Sequence, residues 1–489
     1  MVDVNYQGIV MESTAYSRQD LETAIVHIGT GAFHRGHQAV YTDLSNEAAG
    51  TRWGIFGINL FGSADVVDAL NAQHGLFTVV ERSSHATLCR QVRSLTGALH
   101  TPQSGIQAAI EKLIEPQVKI VSLTVTEKGY CTDPQSRQLD LLNPLIRHDL
   151  ANPQAPQSAI GLIVEALRLR RLHNLPPFSV MSCDNIPENG ALTKGAVIAF
   201  AAQRDVTLAD WIAQNVTFPG TMVDRIVPAM TEEAFALIEA ETGRADPAGV
   251  VCEDFRHWVI EDNFVAGRPE WDRAGAMFVA DVLPYEEMKL RMLNGSHSFL
   301  AYCGTLAGYE FIYQCMEDAV FNAAVRYLMV EEQANSLSPH LDLDVNQYAN
   351  VLIARFSNPH IRHKTSQIAM DGSQKLPQRA IDPWRTLQMR GVNGTALTVL
   401  VAGWLHFVIS AIARGEAVAD PLNAEFHACV TTQKEAWAKA LSLLQIKSIF
   451  GTLASDNPQF LHDVRQAFEA IETHGVKAAI QHLLVKANV

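Results

Sequence analysis

The feature that most limits the possible fold is a change of pattern near residue 284. Before it, short apolar runs typical of buried strands alternate with helical stretches such as Ala159–Arg171. The strand-like runs are Ala24–Ile28, Gly54–Ile58, Lys119–Val125 and Phe178–Ser182. Strands that alternate with helices predict a parallel sheet covered by helices. We therefore expect an α/β protein whose residues 1–284 form a parallel-sheet domain.

From Tyr285 onward the helical period dominates. The helical stretches there include Phe321–Gln333, Val345–Phe356, Ala424–Leu444 and Leu461–Glu472. A chain of 489 residues also exceeds the roughly 100–200 residues of one ordinary domain. We therefore expect residues 285–489 to form a second, mostly α-helical domain, and a ligand to bind in a cleft between the domains.

Charge and cysteine content limit the partners. The net charge is 38 − 52 = −14 and no basic arm is present, which argues against nucleic acid. The seven cysteines are scattered without a CxxC pair, as in a reduced cytoplasmic protein with no zinc framework. The start of the chain lacks the pattern of a secretory signal. We expect a cytoplasmic protein without metal, either a monomer or a small homo-oligomer.

One segment, Thr395 to Ala413, approaches the length of a membrane span. It contains His406 and Ser410 and stands alone late in a globular sequence. We interpret it as a buried helix and expect no membrane partner.

A glycine-rich turn follows the first buried strand, in the run Ile25 to Gln38. Gly29 permits a tight turn and Gly31 lets a pyrophosphate approach free N–H groups at a helix start. His34 occupies the third glycine position of GxGxxG, so an ordinary strand–helix turn remains an alternative. The predicted dinucleotide contacts are Gly29, Gly31, Ala32, Phe33, Arg35 and Gly36.

The choice between NAD and NADP rests on the end of the next strand. Asn59 stands where an acid that selects NAD is expected, and Asp65 follows in the loop. We predict NAD, with the partner of the ribose left open.

A polar triad lies in the apolar run from Lys289 to His297. At about 100° per residue, Asn294 lies about 140° and His297 about 80° around a helix from Lys289. Glu286 falls on the same arc. An amine, an amide and an imidazole that converge can transfer a proton and stabilise an oxyanion without metal. A solvated helix face is the alternative.

Together these residues resemble the polyol-specific long-chain dehydrogenase/reductase family, also called the mannitol dehydrogenase family. The resemblance spans nearly the whole chain and is closest to its fructuronate reductase branch. Besides the GTGAFHRGHQ turn, it rests on SLTVTEKGYC (Ser122 to Cys131), MSCDNIPENG (Met181 to Gly190), TMVDRIVP (Thr221 to Pro228), WVIEDNF (Trp258 to Phe264), KLRMLNGSHSFLAY (Lys289 to Tyr302), DGSQKLPQR (Asp371 to Arg379) and ALRLRR (Ala166 to Arg171).

The resemblance implies that residues 1–284 form a Rossmann-type dinucleotide-binding domain and residues 285–489 a mostly α-helical catalytic domain. It also implies a hydride transfer between NAD(H) and a sugar acid or polyol. Lys289 would be the general acid/base, and burial would lower its pKa toward working pH. Asn294 and Asn185 would donate amide N–H groups to the alkoxide. His297 would bind a substrate hydroxyl or orient Lys289, and Glu286 would relay protons or act as an ordinary first-turn glutamate.

Further residues would hold the substrate. Asp224 would accept hydrogen bonds from hydroxyls, unless it only pairs with Arg225. A uronate carboxylate needs a cation, for which Lys375, Arg379 and Arg362 are the candidates.

Two other classes compete with this interpretation. Lys289 could form a Schiff base in an aldolase, or the glycine turn could belong to a non-catalytic NAD(H) sensor. Within the family, a mannitol 2-dehydrogenase or other polyol dehydrogenase is the alternative to an enzyme that interconverts D-mannonate and D-fructuronate.

Overall fold

The computed structural model describes residues 11–12, 16–133, 136–339, 341 and 343–486. It divides into two compact units, Met1–Leu283 and Pro284–Val489. The first unit contains the strands and the second is almost entirely helical. The predicted fold class, a Rossmann-type domain and a mostly helical domain, is confirmed.

The described strands are β1 (Met11–Glu12), β2 (Glu22–Ile28), β3 (Trp53–Asn59), β4 (Phe77–Arg82), β5 (Thr87–Val92), β6 (Leu95–His100), β7 (Ile120–Leu123), β8 (Ser179–Ser182), β9 (Thr221–Asp224), β10 (Val250–Glu253), β11 (His257–Glu261) and β12 (Met277–Val279). Five of them form a central parallel sheet in the order β6-β3-β2-β7-β8. All four predicted strands, now β2, β3, β7 and β8, lie side by side in this sheet.

Apolar side chains on both faces hold the central sheet between two layers. In β2, Val26 and Ile28 enter one hydrophobic core while Ile25 enters the other. Successive strand residues point to opposite faces, so a strand covered on both sides needs a continuous apolar run. That is why these strands could be recognised from the sequence.

Two smaller sheets were not predicted. One has the order β1-β5-β4-β10 and the other β12-β11-β9. Most of their strands mix polar and apolar residues, as in Thr87–Val92, where Arg90 and Gln91 interrupt the apolar pattern. Mixed strands of this kind give a weaker sequence signal than the central ones.

Helices cover the sheets of the first unit. They are Ala32–Gly36, Gln38–Ala49, Asp65–Ala72, Thr101–Ser104, Ile106–Leu113, Thr126–Gly129, Pro144–Ala151, Ala159–Leu172, Asn189–Arg204, Val206–Asn215 and Glu232–Thr242, with 3-10 turns at Arg18–Asp20 and Trp271–Ala274. Ser158 caps the helix Ala159–Leu172 by accepting the Gly161 N–H at 2.9 Å. Inside that helix Arg170 is fully buried and donates to four backbone carbonyls.

The second unit packs its helices around one core. They are Leu283–Met288, Gly295–Leu306, Ile312–Glu317, Ala319–Tyr327, Ala334–Ser336, Val345–Phe356, Thr365–Ile368, Gly372–Leu376, Asp382–Met389, Thr395–Ala413, Asn423–Thr431, Ala436–Leu444, Lys447–Phe450, Leu453–Asp456, Pro458–His474 and Val476–Lys486. The prediction of one continuous helix over Ala424–Leu444 is wrong, because one helix ends at Thr431 and the next begins at Ala436.

The helix Thr395–Ala413 lies inside this core, and 78% of its most apolar 18-residue segment is buried. Among the described residues it is the one helix long and apolar enough to cross a membrane. Its burial against other helices is that of a core helix, as the sequence predicted.

Three turns of the second unit are π-helical: Lys289–Asn294, Leu328–Gln333 and Pro377–Ile381. π-helical turns are rare in proteins, and those that occur are often found at functional sites. The first of these turns contains Lys289 and Asn294, so the widened turn falls on the predicted catalytic segment.

Glu332, in the second π-helical turn, caps the long core helix. Its carboxylate is wholly buried and accepts the N–H groups of Ala396 at 2.7 Å and Leu397 at 2.9 Å. Burial raises the pKa of Glu332 to about 8, although these hydrogen bonds favour the charged form and oppose the shift.

We predict that Glu332 makes stability fall with rising pH. Between the ordinary glutamate pKa of about 4.3 and the folded value, the folded protein keeps a proton that the unfolded chain has released. The contribution of protonated Glu332 to the free energy of unfolding is complete below pH about 4.3 and is lost as the pH rises to about 8. Urea unfolding of wild type and Glu332→Gln should show the difference in unfolding free energy fall by roughly 1.4 kcal/mol per pH unit. Parallel pH curves for the two proteins would contradict this.

Candidate active site

The glycine turn follows β2 and is held by a close backbone approach. Gly29 has φ of +98°, and a Cβ there would lie 2.2 Å from the Thr124 carbonyl oxygen. Only glycine fits this combination of left-handed backbone and close contact. The turn then leads through Gly31 into the helix Ala32–Gly36.

A cavity of about 260 Å³ opens beside this turn. It is lined by residues that follow three adjacent parallel strands: Gly29 and Gly31 after β2, Leu60 and Phe61 after β3, and Thr124, Val125 and Gly129 after β7. Chain order reverses between β2 and β7, because β3 and β6 lie on one side of β2 and β7 lies on the other. Ligands of open α/β sheets bind at such a point.

The cavity suits an uncharged, flat group together with backbone-bound phosphates. All of its lining side chains are uncharged, and most are apolar. Gly31 is exposed at the start of the helix, where N–H groups lack helical partners. Ala32 and Phe33 open that helix and are half-buried. This half of the site can therefore hold a dinucleotide.

Two predicted cofactor contacts are corrected. Arg35 is 4% exposed, and its guanidinium donates to the carbonyls of Ala248 at 3.0 Å and Thr30 at 2.9 Å. It braces the turn from inside instead of reaching a phosphate. Gly36 is buried, and a Cβ there would lie 3.2 Å from Val227, so this glycine permits close packing of the helix.

Asn59 also braces the turn. Its side-chain oxygen accepts the Thr30 N–H at 2.7 Å. Asp65 is exposed at the first turn of the helix Asp65–Ala72. The candidates for a contact with the ribose are therefore the residues of the loop between Asn59 and Asp65.

A predicted catalytic residue, Asn185, and a predicted substrate residue, Asp224, lie in the first unit. Asn185 is exposed in the loop after β8, four residues before the helix Asn189–Arg204 begins. Asp224 ends β9, is 5% exposed and is paired in register with His257. The neighbouring Arg225 forms an ion pair with the buried Glu81 at 2.5 Å.

In the second unit, the predicted catalytic segment is π-helical, which changes its geometry. A π-helix bonds residue i to i+5, so Lys289 and Asn294 lie on the same side one turn apart. The expected separation of about 140° around an α-helix is therefore wrong. Lys289 is 8% exposed and Asn294 is half-buried, so the alternative of a solvated face is excluded for the lysine.

His297 follows in the helix Gly295–Leu306 and is 7% exposed. Its ring lies 4.4 Å from Phe356 and 5.3 Å from His363, edge to face with the latter. Burial lowers the pKa of His363, and nearby Lys375 lowers it further. The structure thus brings His297 together with a second imidazole, which stands in the sequence between Arg362 and Lys364.

The three predicted cations differ in their surroundings. Arg362 is exposed, with its guanidinium 5.3 Å from the centre of the Phe311 ring. Lys375 donates to the carbonyls of Ile368 at 3.1 Å and Met370 at 2.5 Å. Arg379 donates to the Asn294 carbonyl at 3.2 Å and to the Ser298 hydroxyl at 3.1 Å.

Arg379 and Lys375 form a pair of half-buried positive charges. Among the described residues, neither makes a salt bridge with a carboxylate. Burial lowers the pKa of Arg379 to about 10. Burial also lowers the pKa of Lys375, and the charge of Arg379 lowers it further. An anion bound beside both would relieve this repulsion.

Gly295 is where the catalytic segment meets the other two π-helical turns. A Cβ on Gly295 would lie 2.6 Å from Gln333 Nε2 and 3.0 Å from the Arg379 carbonyl oxygen. Gln333 also accepts the Ser296 hydroxyl at 3.0 Å. Gln333 carries no sequence signal of its own, because its partners are distant in the chain.

The comparison with known proteins covers both units. The mannitol dehydrogenase Rossmann domain matches residues 23–273, and the mannitol dehydrogenase C-terminal domain matches residues 281–472. The chain belongs to the mannitol dehydrogenase family. The family resemblance predicted from the motifs is confirmed, and the chain is an oxidoreductase, which removes the aldolase and sensor alternatives.

Three members of the mannitol dehydrogenase family are informative. D-mannonate oxidoreductase of Escherichia coli K12 is 49% identical over 473 residues, 96% of this chain and 97% of that protein. The uncharacterized oxidoreductase YdfI of the same organism is also 49% identical, with the same coverage. The ternary complex of Pseudomonas fluorescens mannitol 2-dehydrogenase with NAD and D-mannitol is 37% identical, with a TM-score of 0.80 and 98% coverage of both chains.

We predict that the packing around Gly295 is needed for both stability and turnover. Gly295→Ala should lower the free energy of unfolding by about 1–3 kcal/mol, because overpacking displaces Gln333 or the backbone at Arg379. Turnover should fall with it, since Asn294 is the preceding residue. Urea unfolding and steady-state kinetics would measure the two effects.

The matched control is Gly195→Ala. Gly195 lies within the helix Asn189–Arg204, and a methyl group added there would meet no atom within 4 Å. Alanine there should stabilise the protein by roughly 0.5–1 kcal/mol. Equal behaviour of the two variants would show that the contacts at Gly295 do not matter.

Proposed function

We propose that this mannitol dehydrogenase family member interconverts D-mannonate and D-fructuronate with NAD(H). The observation that carries the choice of a sugar acid is the cation pair Lys375 and Arg379, which makes no salt bridge among the described residues, although Asp371 and Asp420 are near enough to raise the pKa of Lys375. Sequence identity alone does not decide, because D-mannonate oxidoreductase and YdfI match the chain equally well. A neutral polyol as substrate is the alternative.

NAD is assigned to the cavity beside the Gly29 turn. The required glycine at residue 29, the exposed start of the following helix and the uncharged lining all fit a dinucleotide. Gly31, Ala32 and Phe33 would face its phosphates. When bound, the nicotinamide ring accepts or supplies the hydride.

Lys289 is assigned the proton transfer. In oxidation its neutral amine takes the hydroxyl proton of the alcohol, and in reduction its ammonium returns a proton to the carbonyl oxygen. Its burial keeps it from being an ordinary solvated surface lysine. His297, held against Phe356 and His363, would orient the substrate or the amine.

Two amides are assigned to the oxygen that gains charge. Asn294 lies on the same side of the π-helical turn as Lys289, so both side chains can serve one oxygen. Asn185, at the carboxyl end of β8, is assigned the role of the second amide donor. Asp224 would accept hydrogen bonds from substrate hydroxyls.

Arg379 is the best of the three candidates for the carboxylate. Arg362 is exposed and stacked on Phe311, where an ion pair is worth little. Arg379 is half-buried, and the same guanidinium reaches the backbone of Asn294. A carboxylate bound there would be held close to the catalytic turn, with Lys375 as the second cation.

We predict that the purified protein oxidises D-mannonate with NAD⁺ and reduces D-fructuronate with NADH, with both activities insensitive to EDTA. Absorbance of NADH at saturating cofactor would measure them. A much higher kcat/KM for D-mannitol than for D-mannonate would contradict the substrate and leave the family unchanged. Complete loss of activity with EDTA would contradict the lysine mechanism.

Lys289→Ala is the control variant for that assay. It should still bind NADH, because the glycine turn belongs to the other unit, and should lose about 10²–10⁴-fold in turnover. A raised KM with unchanged kcat would show instead that Lys289 only binds substrate.

We predict that Arg379 determines preference for the acid. Arg379→Met should cost about 2–5 kcal/mol in kcat/KM for D-mannonate, as expected when one partner of a buried charge pair is removed. The loss for D-mannitol should be much smaller, because that substrate carries no charge. The ratio of the two kcat/KM values is the measurement.

Arg362→Met serves as the matched control, since it removes an exposed arginine from the same unit. It should leave the ratio unchanged. An equal loss for both substrates in Arg379→Met would show that Arg379 only supports Asn294 and Ser298.

A further inference from the structure

Asp184 immediately precedes Asn185 and is buried, with 9% exposure. Its carboxylate accepts the backbone N–H groups of Val125 and Thr126, both at 2.9 Å. It also accepts the Tyr130 hydroxyl at 2.7 Å. One side chain of the SCDN motif therefore holds the loop of the TEKGYC motif.

That loop borders the cofactor cavity and is conformationally strained. Val125 and Gly129 line the cavity. Thr126 has φ of +63°, a left-handed conformation that costs a non-glycine residue energy. The bond from its N–H to Asp184 holds this conformation in place, so the shape of the cavity wall depends on the carboxylate.

A second side chain extends the network toward Asp224. Asn189 donates to the Asp184 carbonyl at 3.0 Å and to the Thr221 carbonyl at 2.9 Å. Its amide oxygen accepts the Thr221 N–H at 3.0 Å. Thr221 begins β9, whose last residue is Asp224. The backbone around Asn185 is thus tied to the strand that carries Asp224.

We propose that Asp184 is a positioning residue that couples the cofactor cavity to the substrate-binding residues of the first unit. Its carboxylate sets the cavity loop, its backbone sets Asn185, and Asn189 transmits the same position to β9. This inference rests on the proposed roles of Asn185 and Asp224. It predicts that one change at Asp184 weakens cofactor binding and slows turnover together.

Asp184→Asn tests the proposal with nearly constant shape. Both carboxylate oxygens accept N–H donors, so an amide nitrogen must face at least one of them. We expect the Kd for NADH to rise, and kcat to fall, by about tenfold to a hundredfold each, the range for a lost hydrogen bond to a charged group. Asn185→Ala should lower kcat and leave the NADH Kd unchanged.

The matched control is Asp318→Asn. The Asp318 side chain is 6% exposed, and its carboxylate accepts one backbone N–H, from Val320 at 2.9 Å, and one tyrosine hydroxyl, from Tyr309 at 2.7 Å. This variant should lose a similar amount of Tm without the paired effect on Kd and kcat. The same paired effect in Asp318→Asn, or values within twofold of wild type in Asp184→Asn, would overturn the proposal.

If Asp184→Asn does not fold, Tyr130→Phe decides. It removes the hydroxyl that donates to Asp184 and also bonds the Ser182 hydroxyl, and it should raise the NADH Kd by about tenfold. An unchanged Kd would overturn the proposal. Fluorescence titration of NADH needs no substrate. The test therefore stands even if D-mannonate is not turned over, an outcome that would count against the proposed function alone.

Discussion

The parallel pairing of β2 with both β3 and β7 is the constraint on which the first unit depends. Because the three strands run in the same direction, the residues that follow them meet at one edge of the sheet. Gly29 then lies against the Thr124 carbonyl so closely that no side chain fits, and Asn59 bonds to the backbone of the same turn. The cavity exists because these three strand ends are brought together, and its uncharged lining follows from the residues placed there.

Much of this arrangement could be predicted from the sequence, for a physical reason. Strands covered on both faces need continuous apolar runs, and a turn pressed against a carbonyl needs glycine, so both leave local signals. The local sequence signal at Arg35 was misleading. Its position in the turn indicated a phosphate contact, but its partner is the carbonyl of Ala248, 213 residues away, which no local pattern reveals. Most strands of the two smaller sheets were missed because polar residues interrupt their short apolar runs.

The catalytic segment of the second unit shows the same division. Its residue types and burial were predictable, but its π-helical geometry was not. Lys289 and Asn294 align because the turn is widened, and the helix continues through Gly295, where Gln333 and the Arg379 carbonyl approach too closely for a side chain. Those partners come from two other π-helical turns, each distant in sequence. The position of His363 against His297 likewise depends on tertiary packing alone.

Several buried charges, in both units, are held by the backbone instead of by opposite charges. Asp184 and Glu332 accept pairs of backbone N–H groups, and Arg170 donates to four carbonyls. A charge bound in this way fixes the path of the chain, since the peptide groups cannot move without leaving it unsatisfied. Arg379 differs, because its described acceptors are one carbonyl and one hydroxyl, both bonded to the same nitrogen. A guanidinium with five N–H groups and only two such bonds retains donors for a further acceptor, and a planar carboxylate matches that donor geometry. Asp184, Glu332 and Arg170 therefore organise the fold, whereas Arg379 is the half-buried charge best placed to select a substrate.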